Sequence, residues 1–190
     1  MTEVPPLFIL RHGETEWNVA GRLQGRFDAP LTPEGERQAL AQRRILMQQD
    51  LTRFGAISSP QGRARQTARL ALDGLITPIR EDPALAEIGL GGWAGRYRAE
   101  VMAESGARDG FALYELAPDG EGFAALHTRC ENFLRGLRGP AVLVTHGITS
   151  RMLRLILTGR PIGALRDIDG GQGVVFRVAE GRQERLAIGA

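Results

Sequence analysis

The chain has no lysine: its 24 basic residues are all arginine, set against 22 aspartates and glutamates, for a formal charge of +2. With that balance and no long run of one sign, nothing in the charge calls for nucleic acid or an anionic membrane as a partner. The sequence pI of about 9.3 agrees, because arginine keeps its proton and few other groups titrate just above neutrality. A single cysteine, Cys130, excludes an intrachain disulfide and cysteine-rich metal clusters. The three histidines have no ligand-like spacing, so neither metal nor other cofactor is expected. No apolar stretch approaches the ~20 residues of a membrane span, and the run Leu7 to Leu10 is too short for the apolar region of a signal peptide. A soluble cytoplasmic protein is the expectation, and a homodimer stays open.

What is present suffices for a core without staples. At 190 residues and 43% hydrophobic content, the chain has the size and composition of one globular domain, not of a disordered or fibrous segment. Apolar runs alternate with helical stretches, which predicts an α/β three-layer sandwich: a mostly parallel central sheet flanked by helices. Leu7 to Leu10 and Ala141 to Val144 read as buried parallel strands. Gly55 to Ser58 and Ile76 to Ile79 are weaker candidates, the latter near an edge because of Pro78. Thr32-Pro33 opens a helix, with threonine as cap and Glu34 and Glu36 in the first turn. Phe123, Leu126, Cys130, Phe133, Leu134 and Leu137 form one helical face, as do Ile148, Met152, Leu155 and Ile156. A C-terminal hairpin, Val174 to Val178 and Arg185 to Ile188, turns at Glu180-Gly181. Residues 95–120 lack a core pattern and read as an insertion in a single domain spanning 1–190.

Two strands end alike, in Arg11-His12-Gly13 and in His146-Gly147. In a parallel sheet both histidines then lie at the carboxyl edge, where such folds bind ligands. The glycines give the backbone freedom for close approach to an anion. A third strand end, Ser58-Ser59-Pro60-Gln61-Gly62-Arg63, places Arg63 in a first helical turn, where its charge opposes the helix dipole unless an anion is present. Arg11 and Arg63 can hold a phosphoryl dianion through paired hydrogen bonds, and nearby positive charge keeps His12 neutral and nucleophilic. Phosphoryl transfer needs little beyond positioning, charge stabilisation and an acid for the leaving oxygen. By contrast, His127 and Cys130 read as structural, Arg65 and Arg69 as surface charges, and Glu14 and Glu16 as charges on a short turn. Trp17 and Trp93 line either the pocket or the core.

The blocks Arg11-His12-Gly13-Glu14-Thr15-Glu16-Trp17-Asn18, Gly21-Arg22-Leu23-Gln24-Gly25, Pro30-Leu31-Thr32, Ser58-Ser59-Pro60 with Arg63, Glu87-Ile88 with Gly91 and Trp93, and Thr145-His146-Gly147 resemble the histidine phosphatase superfamily, the phosphoglycerate mutase-like proteins, in order. The resemblance implies that His12 is the phosphorylated nucleophile. Arg11, Arg63, Asn18, His146 and Gly147 would surround the phosphate, and Glu87 would be the proton donor, with His146 assisting catalysis. It also implies the phosphatase-type branch, acting on a small phosphorylated metabolite. Glu87 is followed by Ile88-Gly89-Leu90, not by the arginine and tyrosine of the mutases, and no lysine is available for a second-phosphate clamp. Gly120-Glu121-Gly122 departs from the phosphatases' Gly-Glu-Ser and leaves Glu121 without an assigned role. The insertion is expected to be a substrate lid, with Arg96, Arg98, Arg108 and Tyr114 reading the leaving group. The alternatives are a cofactor-dependent phosphoglycerate mutase and, from a different class, a non-catalytic binder of phosphorylated ligands or RNA.

Overall fold

The computed structural model describes residues 4–188, so the ends of the expected unit, 1–3 and 189–190, lie outside it. In chain order the elements are β1 (Leu7–Arg11), α1 (Glu16–Val19), α2 (Pro33–Leu46), β2 (Gly55–Ser58), α3 (Gly62–Leu72), β3 (Ile79–Glu81), α4 (Arg98–Ser105), α5 (Leu113–Leu116), α6 (Gly122–Gly136), β4 (Ala141–Thr145), α7 (Gly147–Leu157), β5 (Val175–Ala179) and β6 (Arg182–Leu186). Short 3₁₀ turns at Pro83–Leu85 and Gly91–Trp93 bracket Glu87. No helix among the described residues is long and apolar enough to cross a membrane.

The strands form one sheet in the order β3-β2-β4-β1-β5-β6. The first four are parallel; β5 and β6 are antiparallel additions beyond β1. Continuous apolar runs form these strands because both faces are covered, so successive side chains enter different cores. Leu7, Ile9, Leu143 and Phe176 pack with Leu126 and Cys130 of α6 and with Met152 and Leu155 of α7. Phe8, Leu10, Val142 and Val144 pack on the opposite face with Ile45 and Leu46 of α2 and Ala64, Ala68 and Leu72 of α3. This is the expected three-layer α/β architecture, and each fully buried Leu or Ile contributes roughly 1.5–3 kcal/mol. Burial pushes the Cys130 thiol up to about 12, as befits a packed side chain and not a nucleophile.

Three local expectations need correction. The edge strand runs from Ile79 to Glu81, not from Ile76: Pro78 has no N–H to donate, and pairing with β2 begins after it. The hairpin turns at Glu180-Gly181 as expected, with both residues at positive φ (52 and 71). That two-residue loop fixes β6 at Arg182–Leu186 instead of Arg185 to Ile188. Its charged residues give an exposed edge strand whose apolar spacing is uninformative. Residues 95–120 also have a core of their own. Val101 and Leu113 are fully buried against Leu23 and Leu90, flanked by Trp93, Met102 and Tyr114. The helices are too short for a period to emerge.

Candidate active site

Strand register brings the histidines together. Arg11 pairs with Thr145 across β1 and β4, and the N–H of His12 donates to the carbonyl of Thr145 at 2.9 Å. The rings of His12 and His146 consequently stand 5.1 Å apart, centroid to centroid, at the carboxyl edge of the sheet. Next along that edge, Ser59 beyond β2 lies 2.8 Å from Nε2 of His146. Ser59 Oγ also accepts the N–H of Gln61, so its own hydrogen is available to His146.

His12 is fixed in one tautomer. Its Nδ1 donates to the carbonyl of Gly13 at 2.7 Å, leaving Nε2 with a lone pair, toward which Nε of Arg63 donates at 3.3 Å. Burial, then the charges of Arg63 and Arg11, hold the imidazole well below its ordinary 6.5. His146 lies low for the same reasons, burial first and then Arg63, His12 and Arg11. Gly13 serves packing and not a ligand: a methyl there would overlap the carbonyl of Gly35 at the start of α2. At Gly147 a methyl would be in ordinary contact with Arg11, 3.4 Å, and with Glu87, 3.6 Å.

Arg63 is the hub, with a side chain only 1% exposed. Its Nη1 donates to the carbonyl of Phe27 (2.6 Å) and to Asp28 (3.2 Å), and its Nη2 to the carbonyl of Gly25 (2.9 Å). Most of the fork is thus held by the Gly25 to Asp28 loop, and the Nε edge is what faces His12. The conflict with the α3 dipole has a resident solution, since Asp28 also accepts the backbone N–H of Arg63 at 3.1 Å. Asn18 closes a capping box with Thr15 through its Oδ1, which also accepts Nε2 of Gln172.

Glu87 is 8% exposed and held at the N-terminus of α7. Its Oε1 accepts from the N–H groups of Ile88 (3.0 Å) and Thr149 (3.1 Å) and lies 3.0 Å from the Thr149 hydroxyl, whose one hydrogen is shared with the nearer carbonyl of Ala86 (2.8 Å). Among the described residues Oε2 accepts only the N–H of Ile148, at 3.2 Å, and is the oxygen with capacity for a proton.

These groups surround a cavity of about 80 Å³ walled by Arg11, His12, Asn18, Arg63 and Glu87, with Arg98 and Tyr114 at its side. Its volume is roughly that of two or three waters at ~30 Å³ each. Larger hollows, about 520 and 540 Å³, have no histidine in their walls. Among the described residues, two buried polar side-chain atoms without a partner belong to the cavity wall, Nε of Arg11 and Oε1 of Gln24, and a third, Nδ1 of His146, belongs to the ring beside His12. Buried polar groups are normally satisfied, so the unpaired Nε–H of Arg11 is a donor left for an anion.

Other expectations divide. His146 and Gly147 do not reach the cavity wall, although His146 adjoins His12. Of the four insertion residues, Arg98 and Tyr114 line the cavity, bonded to each other at 2.9 Å. Arg96 instead forms two bonds with Glu104 (2.8 and 2.7 Å). Arg108 is exposed beside Asp109. Charge alone cannot say which side of a short helix faces inward. Neither tryptophan walls the cavity: Trp93 packs in the insertion's core and Trp17 stacks on Arg22. His127, Arg65 and Arg69 lie away from it.

Sequence reasoning missed Gln61, Gln172, the inward role of Arg22 and the part Asp28 plays in capping α3 and holding Arg63. Gln61 binds the backbone N–H of Glu87 (2.8 Å) and the carbonyl of Gly25 (3.0 Å). Gln172 reaches the carbonyl of His12 at 3.2 Å from the far end of the chain, and no local signal could have found it. Arg22 lies 4.3 Å from the centroid of Trp17 and 5.4 Å from that of Tyr97. It lines the cavity.

Depressed histidines have a stability consequence. The unfolded chain protonates His12 and His146 near ~6.5 whereas the fold keeps both neutral. Stability is therefore fully present above pH 6.5 and falls as pH drops toward the folded values, by up to ~1.4 kcal/mol per pH unit for each group. Urea-unfolding free energies at pH 7.5 and 5.5 should show this fall, with a shallower one in His12→Ala; equal values in the wild type would contradict it.

Residues 7–187 match the Histidine phosphatase superfamily (branch 1). The chain is 33% identical over 174 residues to a probable phosphoglycerate mutase, GpmB, of Enterobacter sp., covering 84% of this chain and 78% of that one. It is 33% identical over 164 residues to the adenosylcobalamin/alpha-ribazole phosphatase of Salmonella typhimurium, covering 80% and 79%. The crystal structure of a putative alpha-ribazole-5'-P phosphatase from Escherichia coli superposes with a TM-score of 0.80 at 27% identity, covering 98% and 97%.

Proposed function

Since this chain belongs to the histidine phosphatase superfamily, we propose that it is a metal-independent phosphomonoester phosphatase acting through a phosphohistidine on His12. The observation that carries the reading is the unprotonated Nε2 of His12, in a small cavity, with the Nε–H of Arg63 at 3.3 Å. On binding, the phosphate takes over that N–H and meets Nε–H of Arg11, an unpartnered donor of the cavity wall. In the first step the Nε2 lone pair attacks phosphorus, the bond to the ester oxygen breaks, and protonated Glu87 delivers its proton from Oε2 to the leaving alcohol. In the second step Glu87 takes a proton from a water that attacks phosphorus, the P–N bond breaks, and His12 and inorganic phosphate are released. Splitting the barrier in this way, with charge stabilised by fixed donors, is the ordinary logic of covalent catalysis.

Residues 95–120 act as the substrate lid, with Arg98, Tyr114 and also Arg22 beside the leaving group. A mutase is the second reading, favoured by the naming of the Enterobacter relative and by Arg22 and Arg98, neither of which has a carboxylate partner among the described residues. Against it, Glu87 is followed by Ile88-Gly89-Leu90, without the arginine and tyrosine of the mutases, and the chain has no lysine for a second-phosphate clamp. A screen of phosphorylated metabolites, with a coupled assay on 3-phosphoglycerate and a bisphosphate primer, tests the choice. Phosphate release without isomerised product is expected; primer-dependent isomerisation faster than hydrolysis would make it a mutase.

A further inference from the structure

Glu87 sits on irregular chain between two 3₁₀ turns, yet its backbone is held on both sides by a pair that lies outside the cavity. Nη1 of Arg129, on α6, donates to the carbonyls of Ala84 (2.6 Å) and Ala86 (2.9 Å), just before Glu87. Just after it, the N–H of Gly89 donates to Oε2 of Glu121 at 3.1 Å, and the N–H of Glu121 returns to the carbonyl of Gly89 at 2.9 Å. The two side chains lock each other in a two-point bond, Nε to Oε1 at 2.7 Å and Nη2 to Oε2 at 2.9 Å. They are only 18% and 10% exposed, so the pair is weakly screened and geometrically defined. Arg26 approaches Glu121 no closer than 3.9 Å and is itself exposed. Burial would raise the Glu121 carboxyl, but Arg129 and the Gly89 N–H outweigh it and hold it below its ordinary value.

We propose that Glu121 and Arg129 are positioning residues that fix the Glu87 carboxyl for proton transfer: α6 sets the backbone on either side of Glu87, while the N-terminus of α7 sets its carboxylate. Neither residue touches the cavity, and neither handles substrate. The inference rests on Glu87 being the proton donor, and it accounts for a glutamate whose Gly-Glu-Gly setting had left it without a role. Misplacing a catalytic group by ~1 Å can slow a reaction ~100-fold.

A leaving-group comparison tests it. p-Nitrophenolate departs without needing a proton, whereas an alkoxide does not. kcat/KM should therefore be measured on p-nitrophenyl phosphate and on a simple alkyl phosphate for wild type, Glu87→Gln, Glu121→Gln and Arg129→Lys. Glu87→Gln should lose ~10²–10⁴-fold on the alkyl ester and far less on the aryl one. Glu121→Gln, nearly isosteric, and Arg129→Lys, which keeps the charge but not the two-point fork, should each lose roughly 10- to 100-fold on the alkyl ester and less than about threefold on the aryl one. If Glu87→Gln lacks this selectivity, the proton-donor reading falls and the inference with it. If Glu87→Gln shows it and the other two slow both esters equally or neither, the positioning role alone is overturned.

Discussion

His12→Ala is expected to lower turnover of p-nitrophenyl phosphate by at least ~10⁴-fold, about 5.4 kcal/mol at ~1.36 kcal/mol per decade. The size follows from the role: without an imidazole at the end of β1 there is no group in the cavity to form the covalent intermediate, and water would have to attack the ester directly. The ring's hydrogen bonds, to the neighbouring carbonyl of Gly13 and from Nε of Arg63, involve no strand backbone pairing, so its loss leaves β1 and the sheet in place. Arg11 and Arg63 remain, and the variant should still bind inorganic phosphate. A protein that only held phosphorylated ligands or RNA through its arginines would be indifferent to the change, and its binding would weaken steeply with salt. Turnover within tenfold of wild type would contradict the assignment.

The second large effect is at Arg63, where catalysis and architecture share one side chain. Arg63→Lys should lower kcat/KM by ~10²–10³-fold, the usual loss when a preorganised donor to developing charge is removed. A lysine cannot address His12 and the Gly25 to Asp28 loop at once. Arg63→Ala should lose at least as much activity and ~3–5 kcal/mol of stability, because the carbonyls of Gly25 and Phe27 and the Asp28 carboxylate all lose a donor. The lysine variant separates the two roles: a large kinetic loss with a near-native unfolding midpoint. If Arg63→Lys were fully active, Arg63 would be a structural hub only.

Much of this arrangement was legible in the residues. Leu7 to Leu10 and Ala141 to Val144 read as buried parallel strands, which the structure pairs side by side, and their shared ending in histidine and glycine places both rings on one edge. That step needed only local pattern and the habit of parallel sheets to bind at their carboxyl ends. What escaped was set by distance or by exposure. Gln172 reaches His12 across most of the chain, Asp28 caps a helix that begins at Gly62, and Glu121 acts on a loop 32 residues upstream. Arg96 and Arg108 failed as cavity residues because an arginine on a short amphipathic segment finds whichever carboxylate is near, Glu104 or Asp109. The opposition of Arg63 to the α3 dipole calls for an anion at that helix start. Asp28 supplies that anion, and the assignment of Arg63 to the site stands instead on the contact with His12.

The most direct measurement is to trap the intermediate. The protein should be mixed with a phosphomonoester labelled in its phosphate, quenched rapidly in alkali, and digested for peptide mapping. The account predicts label that survives alkali, is lost in acid, and maps to the peptide carrying His12. Acid-stable label, label on another residue, or hydrolysis with no protein-bound phosphate at any time would contradict it.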